Sequence, residues 1–315
     1  MRVLEALDQF YLSMEGVVSP LTLKWYRQKL SSLGDLIGNY EIEEVKVVHL
    51  RAWRADLSQK TQRWTDHPNK PNMDGGLSFT TLHGHVRACR RFFKWLFEER
   101  LLEKSPAERL ERPPLPKNKA RGLKQKERDI LIETALLNNE RDYAMALFLA
   151  DTGCRVSGIV NLCLEDLDLA NCTGIVREKG AGGCNKHRMV FFGVRTAEAL
   201  RRWIRIRPKF KKCDYVFVPF YPLKGEYLNQ AMTPGGVYQV FKRLAKKAGV
   251  KQGWNPHNWR HGAARGMIKN GASLIEVAQL LGHSSVQVTG DYYGIFSEDD
   301  LKYSHERYSW LNPRE

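Results

Sequence analysis

At 315 residues the chain exceeds one ordinary domain, and two are expected. Hydrophobic residues make up 43% and charged residues 27%, which permits a sizeable core and excludes global disorder. Fifty Lys and Arg against 35 acids give +15, a balance that points to a polyanionic partner, nucleic acid before an anionic membrane. The first 120 residues hold 20 basic and 15 acidic side chains and the remainder 30 and 20, so the excess is not one basic tail. A surface made basic for solubility alone is the bland alternative.

The opening residues, MRVLEALDQF, carry Glu5 and Asp8 and no uninterrupted apolar stretch, so no secretory signal is expected. Ser19-Pro20 marks a helix start, and Leu23, Tyr26, Leu30, Leu33 and Ile37 follow at spacings of three and four. Residues 66–78 read as a polar Pro/Gly loop. A stronger helix is predicted from about Thr81 to Glu99, with Leu82, Val86, Cys89, Phe93 and Leu96 on one stripe. Arg87, Arg90, Arg91 and Lys94 lie opposite, either a solvated face or a phosphate-contacting one. From Arg112 to Gly122 the run RPPLPKNKARG cannot pack a core and reads as a linker between a domain at 1–111 and a second at 123–315.

The second domain is predicted to open with helices over Lys124–Leu137 and Arg141–Asp151. Strands follow at Gly174–Glu178 and Lys186–Phe192 around a GAGG turn at 180–183. Further helices are placed near Ala197–Arg205, Val237–Ala248, Asn258–Asn270 and Leu274–Leu281, giving a mainly α fold with one small antiparallel sheet. No apolar run approaches the roughly 18 residues of a membrane helix. Neither a Walker A loop nor G-x-G-x-x-G is present, and Cys89, Cys154, Cys163, Cys172, Cys184 and Cys213 form no C-x-x-C pair. No cofactor or metal is expected, and the cysteines read as reduced residues of a cytoplasmic protein.

Four fragments carry chemistry: TGCRVSGIVNL (152–162), EKG (178–180), PHNWRH (256–261) and LGHSSVQVTGDYY (281–293). Each is weak alone. Together they supply two arginines, two histidines, a lysine and a tyrosine, a set suited to attack on a phosphodiester. Arginine presents a planar fork of donors to phosphate oxygens, histidine moves protons near neutrality, and tyrosine forms a covalent phosphoryl intermediate. Pro256 starts a helix that puts His257 and Arg260 on one face, and Gly282 stops another just before His283. Tyr292 lies nine residues beyond His283.

In these motifs, and in RRFFKWLFEERLLEKSPAERL (90–110), the chain resembles the tyrosine recombinase, or phage integrase, family over nearly its whole length. The resemblance implies a helical core-binding domain followed by a catalytic domain, in the two-domain arrangement of Xer-type and simple integrases. It matches Arg155 and Arg260 to the clamp on the scissile phosphate and His257 to an acid/base residue beside the nucleophile. His283 becomes a donor to a non-bridging oxygen, Lys179 the acid for the departing 5′ oxygen, and Tyr292 the nucleophile that forms a 3′-phosphotyrosine. The implied partners are double-stranded DNA, three further copies in a tetramer on two sites, and in some systems accessory proteins.

Three departures mark this chain. Gly158 stands where the family usually has a supporting glutamate. A longer hairpin turn is needed for Lys179 to take the lysine role, with Lys186 the alternative. Tyr293 adjoins Tyr292, and spacing favours Tyr292. The expected function is a site-specific DNA recombinase, an integrase or excisionase of a mobile element. Xer-like dimer resolution, a type IB topoisomerase and a silent DNA-binding protein are the rivals. After Tyr292, Ser297 and Asp300 suggest a helix start, with Leu301, Tyr308 and Leu311 on a stripe that docks in cis or links protomers.

Overall fold

A computed structural model describes residues 1–63, 73–115, 122–179, 185–210, 214–221, 225–283, 285–293, 302, 305 and 306. The chain forms two compact units, Met1–Asn118 and Lys119–Glu315. The first is helical: α1 (Val3–Met14), α2 (Pro20–Ile37), α3 (Val47–Gln59) and α4 (Phe79–Glu98), with a two-residue ladder of β1 (Gln62–Arg63) on β2 (Met73–Asp74). Ser19 and Ser78 cap α2 and α4, each side-chain oxygen accepting an N–H of the first turn at 3.2 Å. Pro20 at the first helical position needs no partner for a missing donor.

Aromatic rings fill this core. Phe10 of α1 meets Tyr26, Phe92 and Trp95 edge-on, with centroids 5.4–5.6 Å apart. Trp53 of α3 is fully buried, and its indole N–H donates to Ser32 Oγ at 3.1 Å. The polar end of the largest core side chain is thereby satisfied.

The second unit begins with α5 (Gln125–Asn138), α6 (Glu140–Thr152) and the short α7 (Val156–Val160). A sheet follows in the order β3 (Leu167–Asp168), β4 (Thr173–Lys179), β5 (Asn185–Phe191), antiparallel throughout. Next come α8 (Val194–Ile206), a small ladder of β6 (Phe220–Tyr221) and β7 (Glu226–Tyr227), then α9 (Pro234–Lys247). The chain continues through α10 (Pro256–Lys269), α11 (Leu274–Leu281) and α12 (Val286–Tyr293). Among the described residues the fold is mostly helical with one three-stranded antiparallel sheet, as the sequence pattern predicts, and two two-residue ladders besides.

Helix α6 is buried from Arg141 through Leu149, on every side, because α5, α8 and α10 all pack on it. Its buried ion pair, Arg141 to Asp142 at 2.8 Å, is completed by a bond from Arg141 to the Val218 carbonyl at 3.0 Å. Strand β4 alternates, with Gly174, Val176 and Glu178 inward and Ile175 outward. Its last inward residue is therefore an acid, and a buried carboxylate demands partners. The GAGG turn and the tail residues Ser297, Asp300, Leu301, Tyr308 and Leu311 lie outside the described residues.

Candidate active site

Glu178 finds three partners. Its Oε1 accepts the Arg155 backbone N–H at 2.6 Å and Arg188 Nη2 at 3.1 Å, and its Oε2 accepts Arg155 Nη1 at 2.7 Å. Arg155 sits at the N-cap of α7, two residues after the left-handed Gly153 that ends α6. The Glu178 side chain is 3% exposed and that of Arg155 39%, so the guanidinium is anchored from within and open outward. Burial would raise the Glu178 pKa, but Arg188, the Arg155 amide, Arg260 and the Arg155 guanidinium outweigh it and hold the pKa below the usual carboxylate value.

The second arginine is fixed by helix ends. Asn255 caps α10 by accepting the Asn258 N–H at 3.1 Å, and Pro256 occupies the first helical position. This places Arg260 inside the unit, 3% exposed. It donates to the Gly153 carbonyl at 2.9 Å and to the Leu281 carbonyl at 2.7 Å. Arg188, from β5, donates to the neighbouring Leu280 carbonyl. The last carbonyls of α6 and α11 have no intrahelical donors and carry the negative end of the helix dipole, so they are natural acceptors for guanidinium.

Helix α11 stops at Gly282, whose φ of +67° gives the left-handed cap and turns the chain toward His283. A Cβ there would lie 2.6 Å from Arg188 Cδ, so the glycine also makes room for that side chain. His283 Nδ1 is 2.7 Å from the hydroxyl of Thr289, which is fully buried on α12. Three residues further along the same helix comes Tyr292, with Tyr293 closing it. The side chains of both tyrosines lie outside the described residues.

His257, exposed on the first turn of α10, pairs through Nε2 with Nε2 of the buried His261 at 2.9 Å. All three histidines have depressed pKa values. Desolvation comes first for each. For His257 the charges of Arg260 and Arg155 add to it. For His283, at about 4, Arg260, Arg155 and Arg188 add to it. His261, also at about 4, feels His257 and Arg260 next. At neutral pH these rings are uncharged, each with one nitrogen able to donate and one able to accept.

The structure thus brings Arg155, His257, Arg260 and His283 to one place, and residue 292 lies on α12, whose Thr289 meets His283. Lys179 is the last residue of β4, opposite Asn185, and its side chain lies outside the described residues. Lys186 is exposed, opposite Glu178 in the ladder. Sequence reasoning missed Glu178, Arg188, His261 and Thr289. Glu178 had a legible signal: by strand alternation from Gly174 and Val176 it faces inward.

On α4 the four cations are less free than their sequence suggests. Glu98, one turn beyond Lys94, takes Arg91 at 2.8 Å and Lys94 at 3.3 Å. Arg90 donates to the carbonyls of Glu108 and Leu110, and Arg87 lies over the Trp25 ring at 4.7 Å. All four nevertheless line one open depression, together with Arg112 and the acid Glu108.

Residues 121–298 match the phage integrase family. The tyrosine recombinase XerC of Corynebacterium glutamicum is 30% identical, covering 91% of this chain and 86% of its own. The tyrosine recombinase XerD of Staphylococcus saprophyticus is 31% identical over 96% of both chains. Among solved structures, the Tn1549 transposon integrase in complex with circular intermediate DNA covers 98% of this chain and all of its own, with a TM-score of 0.73 at 21% identity. The chain belongs to the phage integrase family, and it is a tyrosine-type site-specific DNA recombinase.

The histidine pKa values set a stability profile. A ring held at about 4 in the fold and near 6.5 when unfolded binds its proton preferentially in the unfolded chain between those values. Stability is therefore full above about pH 6.5 and falls as pH drops toward 4. Urea melts of the free protein across that range should show the midpoint falling with pH, and His261→Gln should reduce the slope. An unchanged slope in the variant would remove His261 as a contributor.

Proposed function

We propose that the chain is the integrase of a mobile element, cutting and rejoining double-stranded DNA through a 3′-phosphotyrosine. The observation that supports this is the convergence of Arg155 after α6, His257 and Arg260 on α10 and His283 after α11, with residue 292 on the helix that follows. In this reading Arg155 and Arg260 grip the non-bridging oxygens of the scissile phosphate and stabilise its added charge as phosphorus becomes five-coordinate. His283 donates a hydrogen bond to one of those oxygens. His257, uncharged at neutral pH, accepts the phenolic proton as Tyr292 Oη bonds to phosphorus. The bond from phosphorus to the 5′ oxygen breaks, and Lys179 gives that oxygen its proton. Reversal by a different 5′ hydroxyl rejoins the strand, and one phosphodiester replaces another without an external energy source.

A bound phosphate also answers the electrostatics of the free site. Its negative charge offsets the arginine charges, which come after desolvation in lowering the His257 and His283 pKa values. The mobile-element role is supported by the likeness to the transposon integrase. Paired inverted repeats about a short spacer in the DNA beside the gene would mark its site, and a chromosomal dimer-resolution site there would replace it with the Xer-type role. We assign the protein to the cytoplasm, on DNA. No described helix is long and apolar enough to cross a membrane.

Three experiments test the assignment. Tyr292→Phe should bind the duplex selected from random DNA by the full chain, yet leave no covalent complex on a nicked version of it. Covalent product in that variant, lost in Tyr293→Phe, would transfer the nucleophile role. Lys179→Ala should cleave a 5′-bridging phosphorothiolate far faster than the oxygen substrate, since sulfur leaves without a proton. Rescue of Lys186→Ala instead would give Lys186 the role.

The DNA grip is the third. We propose that Arg87, Arg90, Arg91 and Lys94 contact phosphates, supported by their shared depression, and that four copies assemble on two sites because four strands need four tyrosines. Log affinity should fall steeply against log salt, and replacing the four by alanine should lower the slope by roughly 0.9 for each phosphate that is no longer neutralised. An unchanged slope returns them to a solvated face. The mass of the two-site complex in solution should correspond to four chains, and a complex that never exceeds two would exclude the tetramer.

A further inference from the structure

We infer that Glu178 is the positioning residue for the Arg155 guanidinium, supplied from β4 in place of an acid on α7, and that Gly158 is bare because the Glu178 carboxylate occupies its side-chain space. The inference rests on the reading that Arg155 grips the scissile phosphate.

Three observations converge on it. A Cβ built on Gly158 would stand 3.3 Å from Glu178 Oε1 and 3.2 Å from Val176 Cβ. The carboxylate therefore fills the place toward which a side chain at 158 would grow. Next, Glu178 holds Arg155 at both ends, accepting the backbone N–H at 2.6 Å and Nη1 at 2.7 Å. One carboxylate thus fixes where the side chain starts and where its fork points, and few rotamers of a long arginine satisfy both. Finally, Glu178 is not a local partner only. It accepts Arg188 Nη2 at 3.1 Å, and Arg188 in turn reaches the Leu280 carbonyl at the end of α11. Three residues beyond Leu280 is His283, so the same carboxylate links the phosphate clamp to the turn that presents a second site residue. An acid on α7 would reach Arg155 from its own helix. An acid on β4 ties α7 to the sheet and, through Arg188, to α11.

The family's usual glutamate after R-x-S and this chain's Glu178 are then two routes to one requirement, an anion behind the first arginine. Positions 158 and 178 should be coupled: an acid is needed at one, and both together crowd two carboxylates into one space.

Single-turnover cleavage of the nicked, selected duplex tests this, alongside its affinity for each variant. Glu178→Gln keeps size and shape and removes the charge. Its cleavage rate should fall about 100-fold, the scale of a misplacement near 1 Å at a reacting group, with DNA affinity little changed. Gly158→Glu alone should also slow cleavage. The double variant Gly158→Glu/Glu178→Ala should recover most of the wild-type rate, which a generally weakened fold would not do. Cleavage by Glu178→Gln at the wild-type rate, or a folded double variant no faster than Glu178→Ala, would overturn the inference. Tyr292→Phe separates the two levels. If it abolishes covalent product while Glu178→Gln cleaves normally, the recombinase reading stands and the positioning role falls. If the wild-type chain makes no covalent product, the reading beneath both falls.

Discussion

A guanidinium as buried as that of Arg260 must find acceptors inside the protein, or its desolvation costs several kcal/mol. This fold meets the need with carbonyls that helices leave unused. Gly153 ends α6 and Leu281 ends α11, and both point their carbonyls at Arg260. The arrangement places two helix termini and a strand end against one another, and the loops that leave those termini carry Arg155 and His283. The candidate site is in this sense a by-product of how two helices are capped. A substitution that moved either terminus would move the arginine and the flanking site residue together.

Clustering cations has an electrostatic consequence that the histidines record. Desolvation, and after it the nearby charges of Arg260 and Arg155, disfavour a further positive charge on His257 and His283. The arginine field that adds to desolvation in suppressing protonation would also attract a phosphate diester. Glu178 limits the excess. It is buried deeply enough that water does not screen it, and its charge is sustained by the arginines it orients.

Much of this was legible in the sequence, for reasons that can be named. Arg155, His257, Arg260 and His283, which the fold brings together, lie in short motifs with local structural signals: Pro256 starts one helix and Gly282 stops another. Helices α2 and α4 were found through Ser-Pro and an unbroken stripe. Helices α1 and α3 were not assigned, although Val3, Ala6, Leu7, Phe10, Tyr11 and Met14 do keep helical spacing. Helix α3 hides better, since Leu50, Trp53 and Leu57 are its only buried residues among polar neighbours. The role of Glu178 is invisible in linear order because its partners come from residues 155 and 188. Gly158 read as the loss of an acid, whereas in space the acid had moved to a strand. The freedom of the α4 cations was overstated for the opposite reason: Glu98, one turn on, was not weighed with them.

The contrast between these two kinds of ion pair bears on how the protein handles DNA. On α4, Arg91 and Lys94 meet Glu98 in the open, with side chains 37%, 68% and 43% exposed. Pairs of that kind are worth roughly 0–1 kcal/mol and are screened by salt. A phosphate would replace such a carboxylate at little cost, which is compatible with the phosphate contacts proposed for these cations. In the second unit the Arg188–Glu178 pair is buried, and removing one partner would leave a charge uncompensated at a cost of about 3–5 kcal/mol. A phosphate cannot displace that carboxylate. It can only bind on the outward side of an arginine whose inner side is already taken. Exchangeable pairs would suit the phosphate contacts proposed for α4, and a carboxylate fixed behind Arg155 would suit the clamp proposed for it.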